Sequence, residues 1–368
     1  MFKTEFYRII SRKTTLAAIS AAFALLVIYG LGNTLWGEGM IDNGHVYYQM
    51  DAIKRDREIT ASFTGPLTEE TVRTIWNTYG EPVYETTIFK SPDGLSLAAK
   101  NGGCDNYCNR FVLHFFADVA YGENGETTFR LSEPLSESRY LQKEYYFGYI
   151  GSGISYYDWF VMAYIVVCLV VVIALCPSFS EDYSCRAADV ILPTAKGRFP
   201  LWKARMAAAF CFTSMIYWSA SAMIFLQQLS TYGSDFLKVS CGLTGTPVFW
   251  LYDQQTLGAA ILTLHLTGYL ALLLLAVLAL AVSAGCRQSF RSLILSLLAY
   301  AGPFITLKLT LGVLPELPVA LSPLGIVNTI LHLLCYSSAF YYPGMFLSAP
   351  NVWKLILTAL ALAMGLLE

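Results

Sequence analysis

Residues 186–205 read R-A-A-D-V-I-L-P-T-A-K-G-R-F-P-L-W-K-A-R, a short basic stretch held between two long apolar runs. Arg and Lys packed this closely beside bilayer-length segments mark the cytoplasmic side of a membrane protein. Composition agrees. Of 368 residues, 55% are hydrophobic and only 14% charged, a balance outside the range of soluble domains. The net charge of −2 carries little information, because the placement of the cations matters more than their sum.

Working outward, Lys3, Arg8, Arg12 and Lys13 precede the first apolar run, Leu16–Trp36, which ends without a small-residue cleavage site. It reads as a retained span with a cytoplasmic N-terminus, since about 20 apolar residues cross a bilayer. Trp159–Leu175 then crosses inward to the basic stretch, Met206–Leu226 outward, Leu257–Ala284 inward to Arg287 and Arg291, and Leu293–Val313 outward. Leu229–Gln255 is expected as a polar outside loop. Beyond Pro315, Pro323–Phe346 is apolar but broken by Pro343-Gly344 before a last run, Val352–Leu367. The count is seven if both runs span, or six if the first dips in and returns; irregular backbone at that depth is tolerated where protein buries it. Six is the expectation.

Residues 37–155 form a polar segment of domain size that the topology places outside the cell. Thr68 is an N-cap, Glu69 and Glu70 load the first turn, and Val72, Ile75, Trp76 and Tyr79 share a face before Gly80, which predicts one helix. Glu58–Phe63, Thr86–Phe89, Phe111–Phe116 and Thr127–Leu131 read as short strands, with turns at Pro92-Asp93-Gly94 and Gly122-Glu123-Asn124-Gly125. The fold class is therefore an α-helical integral membrane protein, six transmembrane helices plus a re-entrant hairpin, bearing a small α+β extracellular domain. Three regions follow: 1–36 with an amphipathic start and the first span, 37–155 outside, and 156–368 with the remaining spans.

Most cysteines sit in apolar runs and behave as small hydrophobes. Cys104 and Cys108 lie instead in a polar Gly/Asn-rich stretch of the outer domain, where a local disulfide is chemically allowed. A metal would need more ligands than that pair offers, and none is expected. His265 lies mid-span, where a histidine either faces a cavity or bonds a neighbouring helix. No H-E-x-x-H, G-x-S-x-G or intramembrane carboxylate pair occurs, and no G-x-x-x-x-G-K-[ST]. Hydrolase chemistry and a nucleotide cradle of that type are thus unsupported in this chain.

The residues after the second span carry a resemblance. They are Phe179-Ser180-Glu181-Asp182-Tyr183, then Val190-Ile191-Leu192-Pro193-Thr194-Ala195-Lys196-Gly197-Arg198, and Leu201-Trp202-Lys203 leading into the third span. Val282-Ser283-Ala284-Gly285-Cys286-Arg287 and the outer-domain phrase Phe63-Thr64-Gly65-Pro66-Leu67-Thr68 add to it. Together they resemble the membrane subunits (permeases) of type-2 ABC exporters, in the branch with a large extracellular domain between spans one and two. Cys185 and Arg186 stand where a small residue is usual.

The resemblance implies an N-terminal amphipathic helix along the inner surface, patterned by Phe2, Phe6, Ile9 and Ile10 against Lys3, Arg8 and Arg12. It also implies a re-entrant hairpin before the last span, and two permease subunits, identical or related, docked on two ATP-binding cassette ATPases. Loop 178–202 would be the coupling element, with Glu181, Asp182, Arg186, Leu192, Pro193, Lys196, Gly197 and Arg198 meeting the ATPase. The chain itself would bind no cofactor and be no enzyme; ATP and Mg would sit on the partner. His265, Tyr217 and Tyr269 are the expected lining of a translocation path in the plasma membrane. Small and aromatic span residues suit a peptide, lipid or amphipathic drug. The competing reading is a membrane sensor or assembly protein whose outer domain binds an external ligand.

Overall fold

A computed structural model of the chain describes residues 1–36, 39–82, 102–121, 127–194, 197, 199–244 and 253–310. In chain order the elements are α1 (Phe2–Ile10), α2 (Lys13–Trp36), β1 (Gly39–Asp42), β2 (His45–Tyr48), α3 (Gln49–Ala61), β3 (Gly65–Pro66) and α4 (Glu69–Tyr79). Then come α5 (Tyr107–Phe116), β4 (Ala117–Tyr121), β5 (Thr127–Leu131), β6 (Tyr146–Phe147), α6 (Ser152–Leu175) and α7 (Pro177–Ser184). Last are α8 (Ala188–Ile191), α9 (Phe199–Tyr232), α10 (Leu257–Gly285) and α11 (Ser289–Thr310). The described chain is mostly helical, with three two-stranded antiparallel sheets. It divides into two compact units, one of Met1–Ile28, Trp159–Ile224 and Thr263–Glu368, the other of Tyr29–Asp158 and Phe225–Leu262.

In the first unit and the helices leading from it, four segments are long and apolar enough to cross a membrane: Lys13–Gly32, Met162–Ser184, Phe199–Tyr232 and Leu257–Gly285. These match the first four expected spans. At 34 residues, α9 is about 50 Å long, well beyond a hydrocarbon core of about 30 Å. Its surplus is polar, with Trp202, Lys203 and Arg205 at one end and Gln227 and Gln228 at the other. Helix α11 occupies the expected fifth span as far as Thr310. The hairpin Pro323–Phe346 and the last run Val352–Leu367 lie outside the described residues.

The second unit is an α+β domain. Asn43 and Gly44 both have positive φ and turn β1 into β2, with Asp42 opposite His45. A two-residue Asn-Gly turn of this hand matches strand twist. Helix α4 forms where Thr68 predicts it: the Thr68 hydroxyl accepts from the Thr71 amide at 3.2 Å, and Val72 and Ile75 are buried. Strand β5 runs over the expected Thr127–Leu131, paired with a β4 that sequence reading missed.

Two expected strands are helices. Glu58–Phe63 falls largely at the end of α3, whose buried Ala52, Ile53, Asp56, Ile59 and Thr60 follow a helical period. Phe111–Phe116 belongs to α5, because Asn106 and Asn109 form a reciprocal capping box that starts a helix just upstream. Thr86–Phe89, the Pro92-Asp93-Gly94 turn and Gly122–Gly125 lie outside the described residues.

The expected outside loop between α9 and α10 is an integral part of this second domain. Ser240 exchanges bonds with Tyr146, its hydroxyl accepting from the Tyr146 amide at 2.8 Å and its amide donating to the Tyr146 carbonyl at 3.1 Å. The Tyr145 hydroxyl donates to Asp253 at 2.7 Å, and Lys143 pairs with the same carboxylate. Gly242 lies so close to Asp253 and Tyr145 that a Cβ would displace both.

One buried carboxyl sets a pH dependence here. Asp56 is 3% exposed, accepting from the Tyr107 amide at 2.8 Å and pairing with Arg110 at 3.3 Å. Burial outweighs both partners and lifts the carboxyl to about 6. A carboxyl raised in the folded state binds its proton more tightly there than in the unfolded chain. Stability from this group is therefore greatest below about pH 4 and is lost as pH rises towards 6. The loss is roughly 3 kcal/mol at 1.36 kcal/mol per pKa unit. Melting of this domain followed between pH 4 and 7 should show that fall, and Asp56→Asn should flatten it.

Candidate functional site

Helix α7 is short, follows Pro177, and stands at the head of the basic stretch. Four other segments of its unit converge on it. From α1 and the residues after it, Arg8 pairs with Asp182 at 3.0 Å and donates to the Ser178 carbonyl, while Arg12 pairs with Glu181 at 2.5 Å and donates to the Ala174 carbonyl at 3.1 Å. From α9, Arg205 pairs with Asp182 and with Glu5, the latter at 3.2 Å, and lies over the Phe179 ring at 4.8 Å. Three guanidiniums and three carboxylates thus balance in a partly closed cluster. The Arg205 side chain is only 4% exposed. Charges withdrawn from water this far persist only when paired and hydrogen-bonded.

On another side, α10 and α11 hold α7 through hydroxyls. Ser283 accepts from the Phe179 and Ser180 amides at 2.9 and 3.1 Å and donates to the Cys176 carbonyl at 2.5 Å. Ser292 and Ser180 donate to that same carbonyl, each at 2.9 Å. Ser180 and Ser283 fall within the stretches quoted for the resemblance, but sequence reading gave neither them nor Ser292 a role of its own.

The eight residues expected to meet a partner separate into two groups. Glu181 and Asp182 are turned into the charge cluster. Arg186, Leu192 and Pro193 are exposed on the connector that follows, Arg186 with a left-handed φ of 57° just past the end of α7. Gly197 is buried, donating to the Thr194 carbonyl at 2.9 Å, and a Cβ there would overlap the Ile191 carbonyl. Lys196 and Arg198 lie outside the described residues. The connector also exposes apolar side chains: Val190 is 73% exposed, and Tyr183, Leu192 and Phe199 are open as well. The expected amphipathic N-terminal helix forms as α1. Its Arg8, with Arg12 just beyond it, meets α7 and Ile9 is buried, while Phe2 and Tyr7 are exposed.

No protein family, curated protein or solved structure matches the chain.

The three expected path residues do come together, between α9 and α10. The Tyr217 hydroxyl donates to the His265 carbonyl at 2.6 Å, His265 Nδ1 lies 3.2 Å from Ser221 Oγ, and Tyr269 and Ser214 hydroxyls are 2.6 Å apart. Phe160 of α6 packs edge-on against the imidazole, with centroids 4.8 Å apart. Gly268 lets the Tyr217 hydroxyl and Phe160 approach the backbone. A small apolar pocket opens beside them, lined by Phe160, Tyr164, Tyr217, Ala220, Ser221 and Ile224. The bonds joining these residues are helix-to-helix tethers.

Cys104 and Cys108 are separate thiols, not a disulfide. Cys104 Sγ accepts from the Asn43 amide at 3.4 Å, while Cys108 Sγ faces the Thr60 hydroxyl at 3.4 Å. Helix α5 begins between them and directs Cys108 into the core, where burial pushes its thiol up to about 12. Among the described residues no group of three or more His, Cys, Asp or Glu side chains could hold a metal.

Proposed function

We propose that this chain is the membrane subunit of an ATP-driven exporter, with six crossings, a cytoplasmic N-terminus and an outer domain, worked by a separate ATPase. The observation that carries the reading is the pairing of a fastened α7 with an exposed apolar connector. Val190, Leu192 and Phe199 offer a surface that water alone does not favour. The helix at the head of that connector is tied to α1, α9, α10 and α11. A push on the connector is therefore delivered to four segments of the bundle at once, the arrangement a lever needs. Two such subunits would enclose the path, and the small and aromatic side chains of the spans, Tyr217 and Tyr269 among them, suit an apolar or amphipathic cargo, such as a peptide, lipid or drug.

The competing reading, a sensor whose outer domain binds a ligand, draws on a different fact. The segment between α9 and α10 belongs to the second domain, so a ligand there would act on both helices.

Affinity purification of the full chain from its own membranes separates the two readings. An ATP-binding cassette ATPase is expected to co-purify, and Val190→Asp with Leu192→Asp should cut its recovery at least about tenfold, a loss of roughly 1.4 kcal/mol in binding. Charge reversal at Lys196 and Arg198 should uncouple ATP hydrolysis from transport. The thermal melting of the chain should be unchanged in the variant at 190 and 192, because those connector side chains touch solvent. Recovery of the chain with no ATPase would sink the exporter reading.

A further inference from the structure

We infer that Ser283 is a positioning residue that fastens the connector helix α7 to α10, so that displacement of α7 reaches α10 through one hydroxyl. The purpose assigned to that joint rests on the exporter reading; its existence and its test do not.

The argument starts from how α7 begins. Pro177 brings no amide hydrogen, and its N-cap residue, Cys176, makes no side-chain cap. The early amides of a helix need partners from outside it, and buried ones cannot borrow water. Ser180 and Ser283 are fully buried. Ser283, in the last turn of α10, supplies what is missing: it accepts from the Phe179 and Ser180 amides and donates to the Cys176 carbonyl. A hydroxyl has one donor and two acceptor sites, and all three are used, each on α7 or its cap. No other side chain among the described residues bonds those two amides. Ser292 of α11 reaches Cys176 and neither amide, so removing it leaves the amides of α7 served.

The two sides of α7 are chemically different. Towards α1 and α9 it is held by charges, through Asp182 and Glu181. Towards α10 it is held by a neutral hydroxyl. Helix α10 is also the one that carries His265 and Tyr269, so Ser283 lies between the connector and the aromatic cluster.

Hydrogen–deuterium exchange on the full chain in lipid nanodiscs tests this, read on peptides covering residues 177–184 and 276–285. Ser283→Ala should speed exchange of the Phe179 and Ser180 amides about tenfold, the loss expected for a deleted buried acceptor. Ser283→Thr, which keeps the hydroxyl, should stay within about twofold of the parent, as should Ser292→Ala. Should the alanine variant fail to fold, Ser283→Cys, with a weak sulfur acceptor, carries the same comparison. Transmission is read by loosening the charged side with Asp182→Asn. That change should raise exchange at 276–285 in the parent and have no such effect once Ser283 is alanine or cysteine. Undisturbed amides in the alanine or cysteine variant, or an Asp182→Asn effect on α10 that persists without the hydroxyl, overturns the proposal. Absence of an ATPase partner would defeat the exporter reading and leave these exchange results standing.

Discussion

Replacing Arg205 with alanine is expected to destabilise the chain by about 3–5 kcal/mol, the usual result of removing one partner from a buried ion pair. Arg205 bridges Glu5 and Asp182, and its side chain is nearly inaccessible. Without it, Asp182 keeps Arg8 at 3.0 Å, but Glu5 is left with a single partner, Arg8 at 3.4 Å. Lysine should recover only part of the loss, because a single ammonium nitrogen replaces the two guanidinium nitrogens, Nε and Nη2, that reach Glu5 and Asp182 separately. The penalty belongs to stranded charge more than to lost attraction. Replacing Arg205, Glu5, Asp182 and Arg8 together by leucine or methionine, so that neither arginine is left without its acids, should therefore restore most of the stability. Arg8→Ala should cost less, since that side chain is 28% exposed and water can take its place. Thermal melting in detergent, or the fraction of chain surviving extraction, reads each effect. Equal losses for Arg8 and Arg205 would contradict the burial argument.

The second large effect lies in the α+β domain of the second unit. Phe111→Ala should cost about 3–5 kcal/mol, the range for truncating a buried phenylalanine. Its ring lies 4.6 Å from Phe147, 4.9 Å from Phe115 and 5.9 Å from Phe116, centroid to centroid. Phe147 sits on β6, which pairs with β3, so the cavity would loosen a sheet as well as a helix. Phe115 is only half-buried, and its alanine variant should lose clearly less. Protease resistance of the domain in the intact chain measures both. The comparison also tests the helix itself. A strand would set Phe111 and Phe116 on opposite faces, whereas in α5 both join Cys108 and Val112 in one buried stripe. Phe116→Ala should thus be as damaging as Phe111→Ala.

The same stretch shows where sequence reading stops. Phe-Val-Leu-His-Phe-Phe is rich in strand-favouring side chains, and a six-residue apolar run does not announce its own period. What decides it is the Asn106–Asn109 box upstream, a signal of the kind that located α4 at Thr68. The first four spans were legible because about twenty consecutive apolar residues leave little choice. The β1–β2 hairpin was legible too, through Asn43-Gly44, though that pair was passed over. The charge cluster was not legible. Arg8 and Arg12 have the composition of a membrane-surface helix, and Glu181 and Asp182 that of a solvated loop. Only the folded chain shows that they are partners, and no local pattern encodes a pairing so far apart in sequence. Ser283 is a similar case: one serine at the end of an apolar helix carries no sign of what it caps.

Arg8 and Asp182 are separated by 174 positions, and Arg12 and Glu181 by 169. A ribosome therefore releases the two arginines long before the acids that will neutralise them. While the nascent first helix is taking its direction in the translocon, Arg12 does not yet have Glu181 and Arg8 has only Glu5, and in the proposed orientation these cations would hold the amino end on the cytoplasmic side. Once the second crossing is threaded, the same guanidiniums turn from steering insertion to closing the bundle.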